Sequence, residues 1–256
     1  MPNSIQKLGL MILGAFVFEI SGYMSPFPAI AQEAGGGEKY QPPYCEGNTT
    51  NGFVKCNYGT GANAGDNYVG NFANGVPNGR GVYVYASSGD RYEGEFRNGR
   101  PNGTGVFIFG ASNARYEGTF RDGNIVSGKI TFDNSDRYEG PFQLVEDISS
   151  GQVSSQPHGQ GRFIFANGDR YEGAFFAGAI FGNGVFTRAD GTRCEAQFYN
   201  SRLYGKGSCR YKNGDRYQGE LRGAAPHGRG SLVKANGQRF QGEFREGQPF
   251  DPKKPK

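Results

Sequence analysis

The sequence predicts an all-β protein: an elongated, single antiparallel meander of stacked β-hairpin repeats, with about eight units and a final strand. Three observations predict it. The phrase Tyr-x-Gly-x-Phe and its weaker copies return at intervals of 24, 24, 22, 33, 23, 23 and 23 residues. Glycine recurs in the same register within each interval. Asn-Gly pairs separate segments in which apolar and polar residues alternate, which is typical of hairpins.

Each repeat is numbered from the first residue of this phrase, as position 0. The eight positions 0 are Tyr68, Tyr92, Tyr116, Tyr138, Tyr171, Cys194, Tyr217 and Phe240. Positions 0, +2 and +4 alternate with polar residues, which predicts a strand with one buried face. Positions +13 to +17, such as Gly105–Phe109, predict a second strand, and turn-forming residues connect the two. If position 0 opposes +15, then +2 opposes +13 and +4 opposes +11, and the rings lie over bare glycine backbone.

The pattern resembles the MORN (membrane occupation and recognition nexus) repeat. The signal-peptide pattern of residues 1–31, described below, suggests a secreted bacterial type. The resemblance is carried by Tyr92-Glu93-Gly94-Glu95-Phe96-Arg97-Asn98-Gly99 with Gly103 and Gly105, and it covers roughly residues 68 to 250. It implies an elongated, grooved β-sheet that acts as a docking or scaffold module for membrane surfaces, partner helices or peptides.

The first 31 residues differ from the rest of the chain. Lys7 is followed by an apolar run from Leu8 to Phe18 and by Ala29-Ile30-Ala31. This layout predicts a signal peptide, residues 1–31, that is cleaved after Ala31, with a linker at 32–44. A membrane anchor is the alternative, but the run is shorter than the ~20 residues that a spanning helix needs. The predicted location is therefore secreted or periplasmic.

The four cysteines suit two disulfides in an exported chain. Cys194 stands at position 0 and Cys209 at +15 of one repeat, which predicts a cross-strand disulfide rather than two buried thiols. Cys45 lies 23 residues before Tyr68, so residues 45–67 are interpreted as a degenerate capping repeat with a second bridge from Cys45 to Cys56.

The interval of 33 residues marks an insertion within the sheet of residues 68–250. We expect a protruding loop at about 145–157, either functional or simply tolerated. A basic tail follows at 251–256, and Pro249, Pro252 and the lysines of this tail are typical of protection against edge-to-edge assembly. We therefore expect a monomer.

The residues indicate no catalytic chemistry. His158 and His227 both precede the +11 glycine, where sister repeats carry Asn, so they are interpreted as turn residues and not as a metal site. The aspartates that stand two residues before a tyrosine at position 0 are likewise interpreted as turn residues: Asp90, Asp136, Asp169 and Asp215. Arg and Glu alternate, and the net charge is +4, which argues against nucleic acid. We predict no enzyme activity, no cofactor and no metal.

The predicted function is a non-catalytic binding or scaffold module of the cell envelope or extracellular space. Its ligand is expected to be a protein segment or a membrane surface, docked on an aromatic-lined curved sheet. A role in binding or processing an envelope polysaccharide is the alternative. The proposed binding face comprises Tyr68, Phe72, Tyr92, Phe96, Tyr116, Phe120, Tyr138, Phe142, Tyr171, Phe175 and Tyr217. Each of these rings also has a structural interpretation, as a cover for the glycine backbone.

Overall fold

The computed structural model describes residues 44–59, 61, 63–146, 148, 151 and 153–250. The predicted signal peptide 1–31, the linker up to residue 43 and the basic tail 251–256 lie outside the described residues. The described residues form nineteen β-strands and no helix, which confirms the prediction of an all-β hairpin meander. A helix long and apolar enough to cross a membrane is accordingly not found among them.

The chain divides into two compact units. Within its described residues, the N-terminal unit contains 44–135 and part of 146–155, and the C-terminal unit contains 136–145 and 156–250. The first eight strands are β1 (Tyr44–Gly47), β2 (Asn51–Asn57), β3 (Asn67–Ala73), β4 (Val76–Val84), β5 (Arg91–Arg97), β6 (Arg100–Ile108), β7 (Arg115–Arg121) and β8 (Asn124–Thr131). The strands that follow are β9 (Arg137–Glu146), β10 (Val153–Pro157), β11 (Gly159–Ile164), β12 (Arg170–Phe176), β13 (Ala179–Thr187), β14 (Arg193–Tyr199), β15 (Arg202–Arg210), β16 (Arg216–Arg222), β17 (Ala225–Val233), β18 (Arg239–Arg245) and β19 (Gln248–Phe250).

Consecutive strands pair antiparallel from β1 to β8 in the N-terminal unit and from β11 to β19 in the C-terminal unit. The turn inside a repeat is tight, because Asn98 and Gly99 both have positive φ, 49° and 75°. Two central residues with positive φ define the turn that best matches the right-handed twist of paired strands. The same pair of positive φ values recurs at this turn in other repeats with different residues, such as Asp122-Gly123 and Ala177-Gly178. This backbone conformation, rather than the Asn-Gly pair alone, fixes where the hairpins reverse.

The register inside a repeat matches the prediction at two of its three points. Tyr92 opposes Phe107, and Gly94 opposes Gly105. The predicted pairing of +4 with +11 is wrong, since Phe96 opposes Pro101. A β-bulge between Gly94 and Phe96 shifts the register, because such a bulge sets unequal numbers of residues against each other. The +4 residue does meet a +11 glycine, but that of the preceding repeat: Phe96 opposes Gly79.

In five repeats an aspartate at position −2 connects the repeat to the turn that follows it. The Oδ1 atom of Asp90 accepts a hydrogen bond from the Gly110 backbone N–H at 2.7 Å, and that of Asp169 accepts one from Ala189 at 2.9 Å. Asp169 is only 4% exposed. A buried carboxylate that satisfies a backbone N–H stabilises both turns, because that N–H would otherwise be unpaired. These aspartates thus link successive turns by hydrogen bonds.

Both predicted disulfides are confirmed. Cys45 is bonded to Cys56 and Cys194 to Cys209, each with a Cα–Cα distance of 4.1 Å. In both cases the strand register sets the two cysteines directly opposite each other. A disulfide of this kind stabilises a fold by about 2–4 kcal/mol. Cystine bridges are typical of an oxidising compartment.

The predicted loop at 145–157 is shorter than expected. Strand β9 continues to Glu146, and β10 begins at Val153 and pairs with β9. The His158 backbone N–H donates to the Pro141 carbonyl at 3.0 Å, which continues the pairing between these two segments. Much of the insertion therefore lengthens one hairpin of the sheet, because added residues with strand propensity extend an existing ladder.

Candidate binding surfaces

The eleven aromatic residues of the predicted binding face are buried, and none is more than 9% exposed. Tyr92, Tyr116, Tyr138 and Tyr171 are completely buried. These rings are therefore not exposed as a binding face. Their structural interpretation, as a cover over the glycine backbone, agrees with the contacts around each ring.

Tyr92 illustrates how the rings bury one another. A Cβ atom added to Gly94 or to Gly105 would lie 2.5 Å from the Tyr92 side chain, so the ring lies directly against both glycines. Its Oη donates a hydrogen bond to the Glu95 carbonyl at 2.9 Å. The edges of Phe96 and Phe120 cover it, with ring centroids 5.0 and 4.9 Å away. Edge-to-face contacts of this kind add to the free energy gained from burial.

Burial also removes these phenols from acid–base chemistry. Desolvation raises the pKa of Tyr92 well above its usual value, and the nearby charge of Glu95 raises it further. Desolvation has the same effect on the pKa of Tyr116, Tyr138 and Tyr171. The aromatic face is therefore the core of the sheet, and the opposite face is exposed to ligands.

In the N-terminal unit, the opposite face forms an open groove of ≈ 770 Å³, the N-terminal groove. Strand pairing sets Val69 against Val82, Val82 against Glu93, Glu93 against Val106, and Val106 against Glu117. These five side chains make one row across β3 to β7. The glycines of the core face contribute bare backbone to the lining between them.

Two carboxylates of the N-terminal groove, those of Glu95 and Glu117, have lowered pKa values. The Thr104 hydroxyl donates to Glu95 at 2.6 Å, and this hydrogen bond is the main reason that the pKa of Glu95 is lowered. The pKa of Glu117 is lowered chiefly by its hydrogen bond from Arg115, at 2.7 Å. Arg80 is the one basic side chain in the lining. Glu93 and Glu117 are ion-paired with Arg91 and Arg115, at 2.6 and 2.7 Å. The N-terminal groove thus combines an apolar row with carboxylates that are largely paired.

The C-terminal unit has a larger groove on the same face of its repeats, ≈ 1390 Å³, the C-terminal groove. Its lining is rich in amide side chains: Gln160, Asn183, Gln197 and Gln218. Its charges are compensated, with three carboxylates against two basic residues. The Arg162 guanidinium donates to Glu172 at 3.1 Å, and Glu195 is paired with Arg193. This groove therefore offers many neutral hydrogen-bonding groups and little net charge.

Four exposed aromatic residues lie beside the C-terminal groove and are called the aromatic row: Phe176, Phe181, Tyr199 and Tyr204. Their exposed fractions are 60%, 43%, 68% and 71%. The ring centroids of Phe176 and Phe181 are 6.1 Å apart, and those of Phe181 and Tyr199 are 5.5 Å apart. Each lies next to a buried core residue along its strand, so the row points to the groove side of the sheet.

The sequence matches the MORN repeat in seven copies, at residues 68–89, 92–113, 116–137, 153–170, 171–193, 194–216 and 217–239. These copies cover more than half of the chain. The protein belongs to the MORN-repeat family. Its repeats therefore indicate a binding or scaffold role. A comparison with curated proteins gives no match.

Several solved structures are similar to this MORN protein in part. The SAS-4 (dCPAP) TCP domain of Drosophila melanogaster, solved with a proline-rich motif of Ana2 (dSTIL), is 14% identical with a TM-score of 0.39, over 84% of this chain and 99% of that one. The wild-type TCP10 domain of Danio rerio CPAP is 17% identical with a TM-score of 0.27, over 76% of this chain and 90% of that one. A virginiamycin B lyase from Staphylococcus aureus is 12% identical with a TM-score of 0.16, over 77% and 85%.

The aromatic row was not predicted, although a signal for it exists in the repeats. Its members stand at positions +5 and +10 of two consecutive MORN repeats. Sister repeats carry arginine at +5, as in Arg97 and Arg121, and asparagine at +10, as in Asn78 and Asn102. The Tyr-x-Gly-x-Phe phrase directs attention to residues that all repeats share. A comparison of the positions at which the repeats differ would have found the row.

The histidines of the MORN array do not form a site for chemistry. His158 packs against Phe176, with ring centroids 5.2 Å apart, at the end of the aromatic row. Neither His158 nor His227 has a positive φ. His227 lies inside strand β17, so its interpretation as a turn residue is wrong. The glycine that follows each histidine, Gly159 or Gly228, has the positive φ instead. Among the described residues, no group of three or more His, Cys, Asp and Glu is arranged to hold a metal ion.

Proposed function

We propose that this protein is a non-catalytic binding module that docks an extended protein segment in its N-terminal groove, outside the cytoplasm. The single observation that carries the proposal is the row of Val69, Val82 and Val106, interleaved with Glu93 and Glu117, on the exposed face of the sheet. Valine side chains on an open face are available to a partner, since the fold buries its core on the other side.

The shape of the N-terminal groove supports an extended occupant. Neighbouring strands are about 4.8 Å apart, so a row across five strands presents a long, narrow track. Phe53, which is 57% exposed, lies in the lining at one end, and Val69 is 39% exposed. A segment in extended conformation places apolar side chains on such a track at regular intervals, and apolar burial supplies most of the binding free energy.

Charge adds a secondary preference for the composition of the segment. The lining contains Glu93, Glu95 and Glu117 with Arg80, but Glu93 is paired with Arg91 and Glu117 with Arg115. These ion pairs are exposed and therefore weak, so a lysine or arginine of the segment can still contact the carboxylates. Apolar contact with the valine row supplies the main part of the binding.

The location of the protein is part of the proposal. The two disulfides support an oxidising compartment, such as the periplasm or the extracellular space. The signal-peptide pattern of residues 1–31 points the same way. We infer a secreted bacterial protein of the cell envelope or its surroundings.

Selection of a phage-displayed library of linear peptides on the oxidised protein tests this function. We expect enriched peptides that combine apolar and basic residues, and we expect the V82K/V106K variant to bind them at least tenfold more weakly. The V185K variant is the matched control, because Val185 occupies the same +14 position in a repeat of the C-terminal unit. Thermal melting checks that all variants fold.

Either of two results would contradict the proposed function. One is the absence of any enriched peptide family. The other is equal affinity of the enriched peptides for the parent protein and for V82K/V106K, which would place their binding site elsewhere.

A further inference from the structure

We propose that the aromatic row and the amide side chains of the C-terminal groove form a binding site for an uncharged polysaccharide chain. The site lies in the C-terminal unit and uses none of the residues of the N-terminal groove. It therefore goes beyond the proposed function, and each of the two can fail without the other.

The fold does not need the aromatic row. Its residues are 43% to 71% exposed, while the core of the same strands is formed by buried neighbours such as Phe175 and Phe198. Sister repeats build the same hairpins with Arg97 and Asn102 at the equivalent positions. Large exposed aromatic side chains that a fold does not require mark an interaction surface.

The rings form a track rather than a pocket. Phe176, Phe181 and Tyr199 follow one another with centroid distances of 6.1 and 5.5 Å, and Tyr204 stands on the next strand, β15. Consecutive sugar rings of a polysaccharide present C–H faces, which lie flat on aromatic rings and bury apolar area without any charge. A row that crosses four strands suits a linear polymer better than a single small molecule.

Amide side chains lie next to this track. Asn183 and Gln197 oppose each other on β13 and β14, two residues along the strands from Phe181 and Tyr199. Side-chain alternation places them on the same face as those rings. An amide offers two N–H donors and a carbonyl acceptor, which match hydroxyl groups that both donate and accept. Polar groups beside an apolar platform then fix the orientation of the ligand.

The charges of the C-terminal groove argue for an uncharged ligand. Arg162 is paired with Glu172, and Glu195 with Arg193, so these charges are compensated within the protein. An anionic polymer would have to break these pairs or meet uncompensated carboxylates. The N-terminal groove differs in its side chains, because it has a row of valines where the C-terminal groove has amides. The two units thus present different chemistry on the same face of the repeat.

Affinity electrophoresis of the oxidised protein tests the site, in native gels that contain a neutral β-glucan, a mannan, a dextran or, for comparison, anionic polygalacturonate. We expect retardation by at least one neutral polysaccharide. The quadruple variant F176R/F181N/Y199R/Y204N is expected to lose at least tenfold in affinity. It introduces residues found at these positions in sister repeats, so it is expected to fold, which thermal melting checks.

Two controls separate this site from others. The Y44S variant removes a tyrosine that is 72% exposed in the N-terminal unit, and it is expected to be retarded as the parent protein is. The V82K/V106K variant is also expected to keep its retardation. The proposal is overturned if no neutral polysaccharide retards the protein, if polygalacturonate alone does so, or if the quadruple variant is retarded equally. Loss of phage-peptide binding in the quadruple variant, without loss of retardation, would assign the row to a protein segment instead.

Discussion

Raising the pH above about 10 is expected to unfold the protein cooperatively, because its core depends on tyrosines that must stay protonated. Burial raises the pKa of Tyr68, Tyr83, Tyr92 and Tyr116 in the N-terminal unit. It also raises the pKa of Tyr211 in the C-terminal unit, to about 12.

The direction of this effect follows from proton binding. Below about pH 10 the folded and unfolded chains both keep the phenol protons, so these groups cause no change in stability with pH. Above it the unfolded chain releases protons that the folded chain retains, and the free energy of unfolding falls by about 1.4 kcal/mol per pH unit for each buried tyrosine. Four such residues lower the free energy of unfolding by about 5 kcal/mol per pH unit. A rise of one pH unit therefore removes an amount comparable to the whole free energy of unfolding of a marginally stable domain.

Circular dichroism between pH 8 and pH 12, with phenolate absorbance followed in parallel, measures this transition. Loss of strand signal and ionisation of the buried tyrosines should coincide. The Y92F variant provides a control, since removing one phenol should make the decline shallower by about 1.4 kcal/mol per pH unit. Ionisation of these tyrosines with the strand signal intact would contradict the description of a closed aromatic core.

Replacing Gly94 by alanine is expected to lower the free energy of unfolding of the N-terminal unit by about 1–3 kcal/mol, the usual cost of overpacking a core. The added Cβ would lie 2.5 Å from the Tyr92 Oη and 2.6 Å from the Thr104 carbonyl oxygen. Either the ring or the strand must move. Urea unfolding followed by circular dichroism measures the change.

Gly242 supplies the matched control, because it holds the same +2 position in the last repeat. There the nearest atom is Phe240 Cζ at 3.2 Å, so the Gly242→Ala change is expected to cost much less. The chain itself contains a comparable case: Ala196 occupies +2 where Cys194 replaces the aromatic residue at position 0. If Gly94→Ala and Gly242→Ala lowered the free energy of unfolding equally, close contact with the Tyr92 ring would not be the reason that glycine is needed at +2.

The hairpins and the disulfides were predictable because they depend on local rules. Asn98-Gly99 specifies the turn, and the repeat period then sets Tyr92 against Phe107. That register alone predicts the bond between Cys194 and Cys209. The bulge has a signal that the sequence prediction did not use. Gly103, the recurring +11 glycine, lies between Pro101 and Gly105 on the bulged strand and has a φ of 107°, and a glycine inside a strand often marks a bulge.

The assignment of the two faces was the main error of the sequence prediction. The alternation of residues shows that Tyr92 and Glu93 lie on opposite faces of the sheet. It does not show how much of each ring is buried by the rings next to it. In the structure, Tyr92 is enclosed by its own Phe96 and by Phe120 of the next repeat. This mutual burial depends on contacts between repeats, which one repeat considered alone does not reveal.

Hydroxyl-radical labelling of the oxidised protein, read residue by residue by mass spectrometry, distinguishes a buried from an exposed aromatic face. If the repeat aromatics form the core and the opposite face is open to ligands, we expect rapid modification of Phe176, Tyr199 and Tyr204, with Tyr92 and Tyr171 protected. Modification of Tyr92 and Tyr171 at rates comparable to those of Tyr199 and Tyr204 would contradict it.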